Sequence, residues 1–404
     1  MRGLSNIEAG AVERCRDAPM LDQVRAWAEI NSGSRNLQGL ERVASLLADA
    51  FAALPGTLAL AEPASVEAMA ADGSLSPVPH GANLHLQVRP GAPVQLLLTG
   101  HMDTVFGVDH PFQQVFWREE GKVLGGPGVA DMKGGLAVML AALQAVEASP
   151  LADRLGYEIV INSDEEVGSP GSAALLAEAA RGKQAALTYE PSALPDGTLA
   201  GARPGSGNFS FYVRGRSAHA GRNPDEGRNA VLAAADLALR LAELKAEAFK
   251  VNPARIDGGG PNNVVPDKAV LRVNVRPRTP EDQLRAQAAL EAAVADVATR
   301  HDVRIDIHGG WGRPPKPIDA KAEKLFQLVR RCGADLGQDI SWRDSGGVCD
   351  GNNIAACGVP VVDTMGVRGG AIHSEDEYVI VESLAERARL SALTILRLAD
   401  GERL

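Results

Sequence analysis

The chain has 404 residues, long enough for two domains, and its 45% apolar and 23% charged residues are an ordinary globular mix. Its formal charge is −10, from 41 Lys and Arg against 51 Asp and Glu, and it has no basic run. That argues against nucleic acid as the main partner, because phosphate contacts need a basic face.

The first forty residues are charged throughout and lack the apolar core of a signal peptide. No apolar run is expected to reach membrane-spanning length. The four cysteines, Cys15, Cys332, Cys349 and Cys357, form no CxxC pair and suggest no disulfide framework. A soluble cytoplasmic protein with free thiols and no membrane partner is the expectation.

In chain order, apolar spacing predicts helices over 20–30 and 37–54. A loop rich in Ala, Pro and Gly over 62–81 precedes strands at 83–88 and 94–98. A glycine-dense loop, 125–135, feeds an apolar helix over 136–146. A strand (158–162), a helix (172–180) and a strand (185–188) follow. Alternating strands and helices mark an α/β unit with a mostly parallel sheet. The pattern changes near residue 203. Strands at 208–213, 269–275 and 303–307 with helices at 228–244 and 281–299 suggest a small α+β insert. Residues 311–317 read as the link back. A helix (320–333), a glycine-rich turn with a helix (350–357), a strand (359–363) and a last helix (381–398) resume the first pattern.

Polar residues cluster where these strands end. Leu96-Leu97-Leu98-Thr99-Gly100 reads as a buried strand, followed at once by His101 and then Asp103. Sites in parallel sheets lie beyond such ends. His101 is therefore a candidate metal ligand, and Asp103 the carboxylate that orients its ring. Asp131 lies in the glycine-dense loop, and Glu165, Glu166, Glu190 and His373 stand after strands or in turns. Two imidazoles with carboxylates suit an ion such as zinc, and a carboxylate outside the ligand set can serve as base toward a water. Glu165 and Glu166 are adjacent, so one can face a metal and the other the water. A solvated acidic turn is the plainer alternative for this pair. The glycine loop is not a phosphate cradle: it lacks the GxxxxGK[ST] pattern, and Asp131 would repel a phosphate.

Five stretches in order carry a specific resemblance: His101-Met102-Asp103-Thr104-Val105, Gly128 to Gly135, Asp164-Glu165-Glu166-Val167-Gly168, Glu190-Pro191 and Ile372-His373-Ser374. From about residue 20 onward the chain resembles the M20-family metallopeptidases. That family includes glutamate carboxypeptidase, acetylornithine deacetylase and succinyl-diaminopimelate desuccinylase. The resemblance implies a discontinuous zinc-hydrolase domain (1–203 and 316–404) with an inserted α+β lid or dimerisation domain (204–315). It implies two zinc ions per chain, with cobalt or manganese as alternatives. Asp131 would bridge them, His101 and Glu190 completing one site and Glu166 and His373 the other. Glu165 would be the general base and Asp103 the partner of His101. The Asp131–Met132 peptide would be cis.

The resemblance extends to the insert. Gly215-Arg216-Ser217-Ala218-His219-Ala220-Gly221 is similar to the family stretch whose histidine reaches across a homodimer to the oxyanion, which implies that role for His219. Asn263-Val264-Val265-Pro266 and Val275-Arg276 imply that Asn263 and Arg276 bind a substrate carboxylate. Gly369 and Gly370, before His373, are expected to add backbone donors.

The implied substrate is a small molecule, a dipeptide or an N-acyl amino acid. Glu190, rather than aspartate, ranks a carboxypeptidase of the glutamate-carboxypeptidase type first and an N-acyl-amino-acid deacylase second. Glutamate-releasing members carry a lysine shortly after Glu-Pro. Pro195-Asp196-Gly197-Thr198 has none, and Arg203 is the nearest basic residue. A non-catalytic ligand-binding protein on the same fold is expected to have lost a ligand or the base, and here all six residues are present.

Overall fold

The computed structural model describes residues 3–244 and 248–404. The strand Val94–His101 runs through the middle of the larger of its two units, and Leu96, Leu97 and Leu98 are fully buried. Alternate side chains of a strand face opposite ways. Leu96 and Leu98 join the main core with helices Gly134–Glu147 and Glu382–Ala399. Leu97 packs with Leu176, Ala186 and Ile354 beneath the helices Ala173–Ala179 and Asp350–Ala356. Cover on both faces is why this strand is continuously apolar.

The strand pairs in parallel with Leu155–Asn162 on one side and Ala185–Thr188 on the other, and Val361–Val362 extends the parallel set. Antiparallel strands Asn83–Val88 and Thr57–Ala61 complete a six-stranded, mostly parallel sheet. The carboxyl ends align: His101 is level with Asn162, and Thr99 with Thr188. This is the expected α/β class.

Residues 206–313 form a separate four-stranded antiparallel sheet. Its spatial order is Phe249–Gly258, Lys268–Pro277, Ser206–Arg214, Arg304–Arg313. Helices Ala230–Glu243 and Pro280–His301 pack on it over a second core containing Phe211, Leu237, Leu271 and Leu290.

Four of the departures from the sequence expectation bear on the core, the insert or the site. The strand Phe249–Gly258 is absent from it, because this mostly exposed strand with a register shift between Pro253 and Arg255 shows no clean alternation. Trp311, Gly312 and Arg313 belong to the last strand of the insert rather than to the link, and Trp311 meets Phe209 edge-on at 5.2 Å. Val129–Glu147 is long and apolar enough to cross a membrane by length and composition, contrary to expectation. However, 94% of that window is buried inside the protein. A helix covered on all sides needs no polar face. Finally, a small antiparallel sheet joins Gly369–Gly370, Tyr378–Ile380, Val123–Gly125 and Phe116–Glu119. Strands of two to four residues carry no readable period. By pairing Tyr378 with Gly125, this sheet lays the loop before Asp131 beside the loop that holds His373.

Candidate metal centre

Asp131 lies between two imidazoles. Its Oδ1 is 3.1 Å from His101 Nε2 and its Oδ2 is 3.3 Å from His373 Nε2. Glu190 Oε2 is 3.7 Å from the same nitrogen of His101, and Glu166 Oε2 is 3.2 Å from that of His373. The result is two three-donor groups that share Asp131. Glu165 adjoins them: one of its oxygens lies within 4.8 Å of ligand atoms of both His101 and Glu190. Asp131, Glu165, Glu166, Glu190 and His373, with Gly369 and Gly370, line one cavity of about 650 Å³, a size typical of small-molecule sites.

Each side chain is held by its surroundings. His101 ends its strand, and its Nδ1 donates to the carbonyl of Asp103 at 3.0 Å, with the Asp103 carboxylate at 3.3 Å. The nearer partner is thus the backbone of Asp103. Its carboxylate accepts the N–H groups of Glu165 (3.1 Å) and Glu166 (3.2 Å) and the Ser34 hydroxyl (2.6 Å). Asp103 thereby ties the histidine strand to the acidic turn. Glu190 follows Tyr189, whose carbonyl is gripped closely: a Cβ at Gly135 would come within 1.9 Å of it, and one at Gly366 within 2.2 Å. Only glycine permits such approach. The Gly366 N–H donates to the Glu190 carbonyl at 2.9 Å, so it is not free for a ligand. The Asp131–Met132 peptide is cis. His373 has a left-handed φ of 62°, a conformation that a non-glycine residue holds only when its surroundings enforce it.

Two residues outside the expected set support this arrangement. Glu377 is buried and accepts the N–H groups of Gly128 (3.1 Å), Ala130 (3.0 Å) and Asp131 (3.1 Å). It sits in the His373 loop and clamps the Asp131 loop. Its place in Glu375-Asp376-Glu377, four residues past a candidate ligand, was the available signal, but such a run reads as solvated. Arg313 Nη2 donates to Glu165 Oε1 at 2.7 Å. Arg313 stands at the end of a strand rather than in the link expected over 311–317.

The electrostatics are those of crowded negative charge. Burial pushes Glu165 up to about 8, with Arg313 and His101 pulling the other way. Burial, with Asp131 and Glu165 adding, likewise pushes Glu190 up to about 8, and burial with the Asp131 charge takes Glu166 up to about 7. Burial opposes charge on His101, yet Glu190, Asp103 and Asp131 together raise it well above its ordinary value. Hydrogen bonds donated to the carboxylates of Asp131 and Glu166 raise His373 to about 11. Asp131, although buried, is held below the usual carboxylate range by its two histidines. Imidazoles and carboxylates at this spacing are the donor chemistry of borderline divalent ions, whose charge would offset this repulsion.

The remaining expected residues lie apart from this cluster. His219 and Asn263 are exposed on the insert, where His219 faces Val264 in an isolated bridge and neither residue lines the cavity. His219 Nδ1 accepts N–H bonds from Gly221 (3.1 Å) and Arg222 (3.2 Å), which leaves Nε2 as the donor. Arg276 lines an adjoining cavity of about 920 Å³ with Lys250, Arg278 and Arg203, opposed there by Asp344. Arg203 and Ser345 border both cavities. Arg203 is buried and doubly bonded to Asp363 (2.7 and 3.1 Å), which Lys316 also meets at 3.1 Å. Most of its donors are therefore engaged.

The profile of Peptidase family M20/M25/M40 matches residues 97–397. The chain belongs to this M20 family. It is 31% identical over 330 residues to carboxypeptidase G2 of Pseudomonas sp. (strain RS-16), covering 80% of this chain and 78% of that one. It is 30% identical over 339 residues to succinyl-diaminopimelate desuccinylase of Xylella fastidiosa (strain 9a5c), covering 78% and 86%. Among solved structures, aminopeptidase PepT from Bacillus cereus ATCC 10987 superposes with a TM-score of 0.70 at 24% identity, over 96% of this chain and 99% of that one, which speaks to fold alone. This M20 chain is an amide-bond hydrolase of a metal-dependent family.

Two outcomes are expected. Ligands must lose protons to bind a metal, and Glu166 and Glu190 are pushed up to about 7 and about 8. Zinc binding will therefore release protons at pH 7, and affinity will rise from pH 6 to pH 8. Titration calorimetry in buffers of different ionisation enthalpy measures this; a pH-independent affinity would contradict it. Replacing Glu377 by Gln removes an acceptor from the Asp131 loop and is expected to weaken metal affinity by about 10- to 100-fold. A competition assay with a chromophoric chelator reads that loss.

Proposed function

We propose that this M20 hydrolase is a di-zinc carboxypeptidase, which cleaves a peptide or related amide bond and releases an amino acid with a free carboxylate. The observation that carries the proposal is the cationic cavity of Arg276, Lys250, Arg278 and Arg203 adjoining the cluster around Asp131. Arginine grips a carboxylate with two parallel bonds, which suits a free C-terminus. The likeness to carboxypeptidase G2 supports the same choice. A second reading, deacylation of an N-acyl amino acid, is favoured by the desuccinylase relatives, and the released product again bears a carboxylate.

In this proposal His101, Asp131 and Glu190 hold one zinc ion and Asp131, Glu166 and His373 the other; cobalt or manganese can take the same donors. Bound there, the ions supply polarisation of the scissile carbonyl and acidification of a water. Glu165 removes a proton from that water and passes it to the leaving amine. Asp103 holds the backbone N–H of Glu165 and so fixes the turn that carries it. Arg276 orients the product-side carboxylate, Asn263, which stands beside His219 on the exposed insert, would join it from a second copy of the chain, and the strand Gly369–Gly370 borders the substrate. His219, supplied by a second copy of the chain, donates Nε2–H to the oxyanion. Such a donor is typically worth 100-fold or more in turnover.

We place the inserted domain at 204–315, make it the dimer contact, and assign the protein to the cytoplasm. Supporting the dimer, Leu232 and Leu239 lie seven residues apart on the helix Ala230–Glu243, hence on one face, and are 60% and 67% exposed. The neighbouring strand Phe249–Gly258 is a sheet edge, open to pairing.

A hydrolysis screen of dipeptides and N-acyl amino acids by mass spectrometry, with and without chelator, tests the activity. Chelator-sensitive release of a free amino acid is expected, as is a loss of at least about 100-fold in Glu165→Ala with metal retained. Unchanged turnover in that variant would remove Glu165 from its role. Light scattering after gel filtration should show a dimer, and Leu232→Asp with Leu239→Asp should yield an inactive monomer. A fully active monomer would exclude His219 acting from a second copy.

A further inference from the structure

Arg313 is the last residue of the insert's strand Arg304–Arg313, and it precedes Pro314 and Pro315. Its side chain does not stay with its own sheet. It is 3% exposed and reaches into the catalytic unit. There Nη2 donates to Glu165 Oε1 (2.7 Å), to the Glu165 carbonyl (3.2 Å) and to Ser169 Oγ (2.9 Å). Nη1 donates to Asp350 Oδ1 (2.5 Å) and Asn353 Oδ1 (2.8 Å). The guanidinium is thus anchored by a buried aspartate on one side and presents its other edge to the side chain given the role of base.

Taken with the Asp103 bond to the Glu165 N–H, this fastens Glu165 at three points: its amide, its carbonyl and one carboxylate oxygen. We propose that Arg313 is the positioning residue for Glu165, engaging Oε1 so that Oε2 is the oxygen presented to the reacting water. This deepens the hydrolase reading above and rests on it. Arginine suits the task because a planar fork with one anchored edge leaves the other edge no freedom to rotate, which a lysine ammonium cannot match. Since Glu165 follows the parallel sheet and Arg313 ends the inserted one, this contact ties the orientation of the base to the insert.

A simple staple between the two units would have the same bonds, so the test must separate the two roles. The enzyme is assayed with zinc bound, on the best substrate of the screen, with wild type and Glu165→Ala in parallel. A mispositioned base lowers kcat, not substrate affinity. Arg313→Ala is therefore expected to lose about 100-fold in kcat with KM changed less than about threefold and metal content unchanged. Added guanidinium should restore part of the rate. Arg313→Lys should fall between the two, because one ammonium cannot serve Asp350 and Glu165 together. In the Glu165→Ala background, Arg313→Ala should cost less than about threefold further, since residues that act as a unit are not additive.

A kcat within threefold of wild type, a loss expressed in KM or in metal content, or a full additional loss in the Glu165→Ala background would each overturn the proposal. If Arg313→Ala fails to fold, Arg313→Lys and its double variant with Glu165→Ala carry the same comparison. If wild type hydrolyses nothing in the screen, the hydrolase reading fails and this inference falls with it. If wild type is active and the Arg313 variants behave like it, the inference alone fails.

Discussion

The contact on which the rest depends is the sharing of Asp131 by two imidazoles, His101 on one oxygen and His373 on the other. Around it Glu165, Glu166 and Glu190 gather in a buried space where like charges repel and hydration is lost. No carboxylate cluster would form this way for stability alone. It is held because each member sits on an element fixed for other reasons, and because the Glu377 clamp fixes the loop of Asp131 by three backbone bonds. The structure accepts a local cost in exchange for a donor set whose charge suits divalent cations.

Two sheets deliver these donors from opposite sides. The parallel sheet aligns the carboxyl ends of its strands, so that His101, the turn with Glu165 and Glu166, and Glu190 all start from one level. That follows from parallel pairing, which puts every strand's exit at the same edge. The small antiparallel sheet supplies the other side by pairing Tyr378 with Gly125. The apolar helix Gly134–Glu147 then leaves directly from the Asp131 loop into the core, so the loop is anchored at both ends. The insert contributes what the parallel sheet cannot, a cationic cavity beside the cluster and the arginine that reaches Glu165.

His101, Asp131, Glu165, Glu166, Glu190 and His373 could be singled out from the chain because each stands in a short contiguous motif after a predicted strand, in a turn or in a glycine-rich loop. The supporting residues could not. Glu377 looks like part of a solvated acidic run until its partners 246 to 249 positions away are known. Arg313 looks like linker because Gly309, Gly310 and Gly312 break the strand pattern, while its register comes only from pairing with Ser206–Arg214. Asp103 reads in the chain as the partner of the His101 ring, yet its carboxylate mainly accepts from the amides of Glu165 and Glu166.

Local pattern indicated the class of the fold and a change of pattern near residue 203, and short motifs with their family resemblance nominated the side chains proposed to carry the chemistry. Hydrophobic period and motif spacing are properties of neighbours along the chain, and neighbours are what a sequence displays. Tertiary structure decided which carboxylate touches which imidazole, that Arg203 is engaged by Asp363, and that His219 stands outside its own chain's cavity. Those outcomes depend on distances between segments tens to hundreds of residues apart, which only the packing of the sheets and the pairing of very short strands can set.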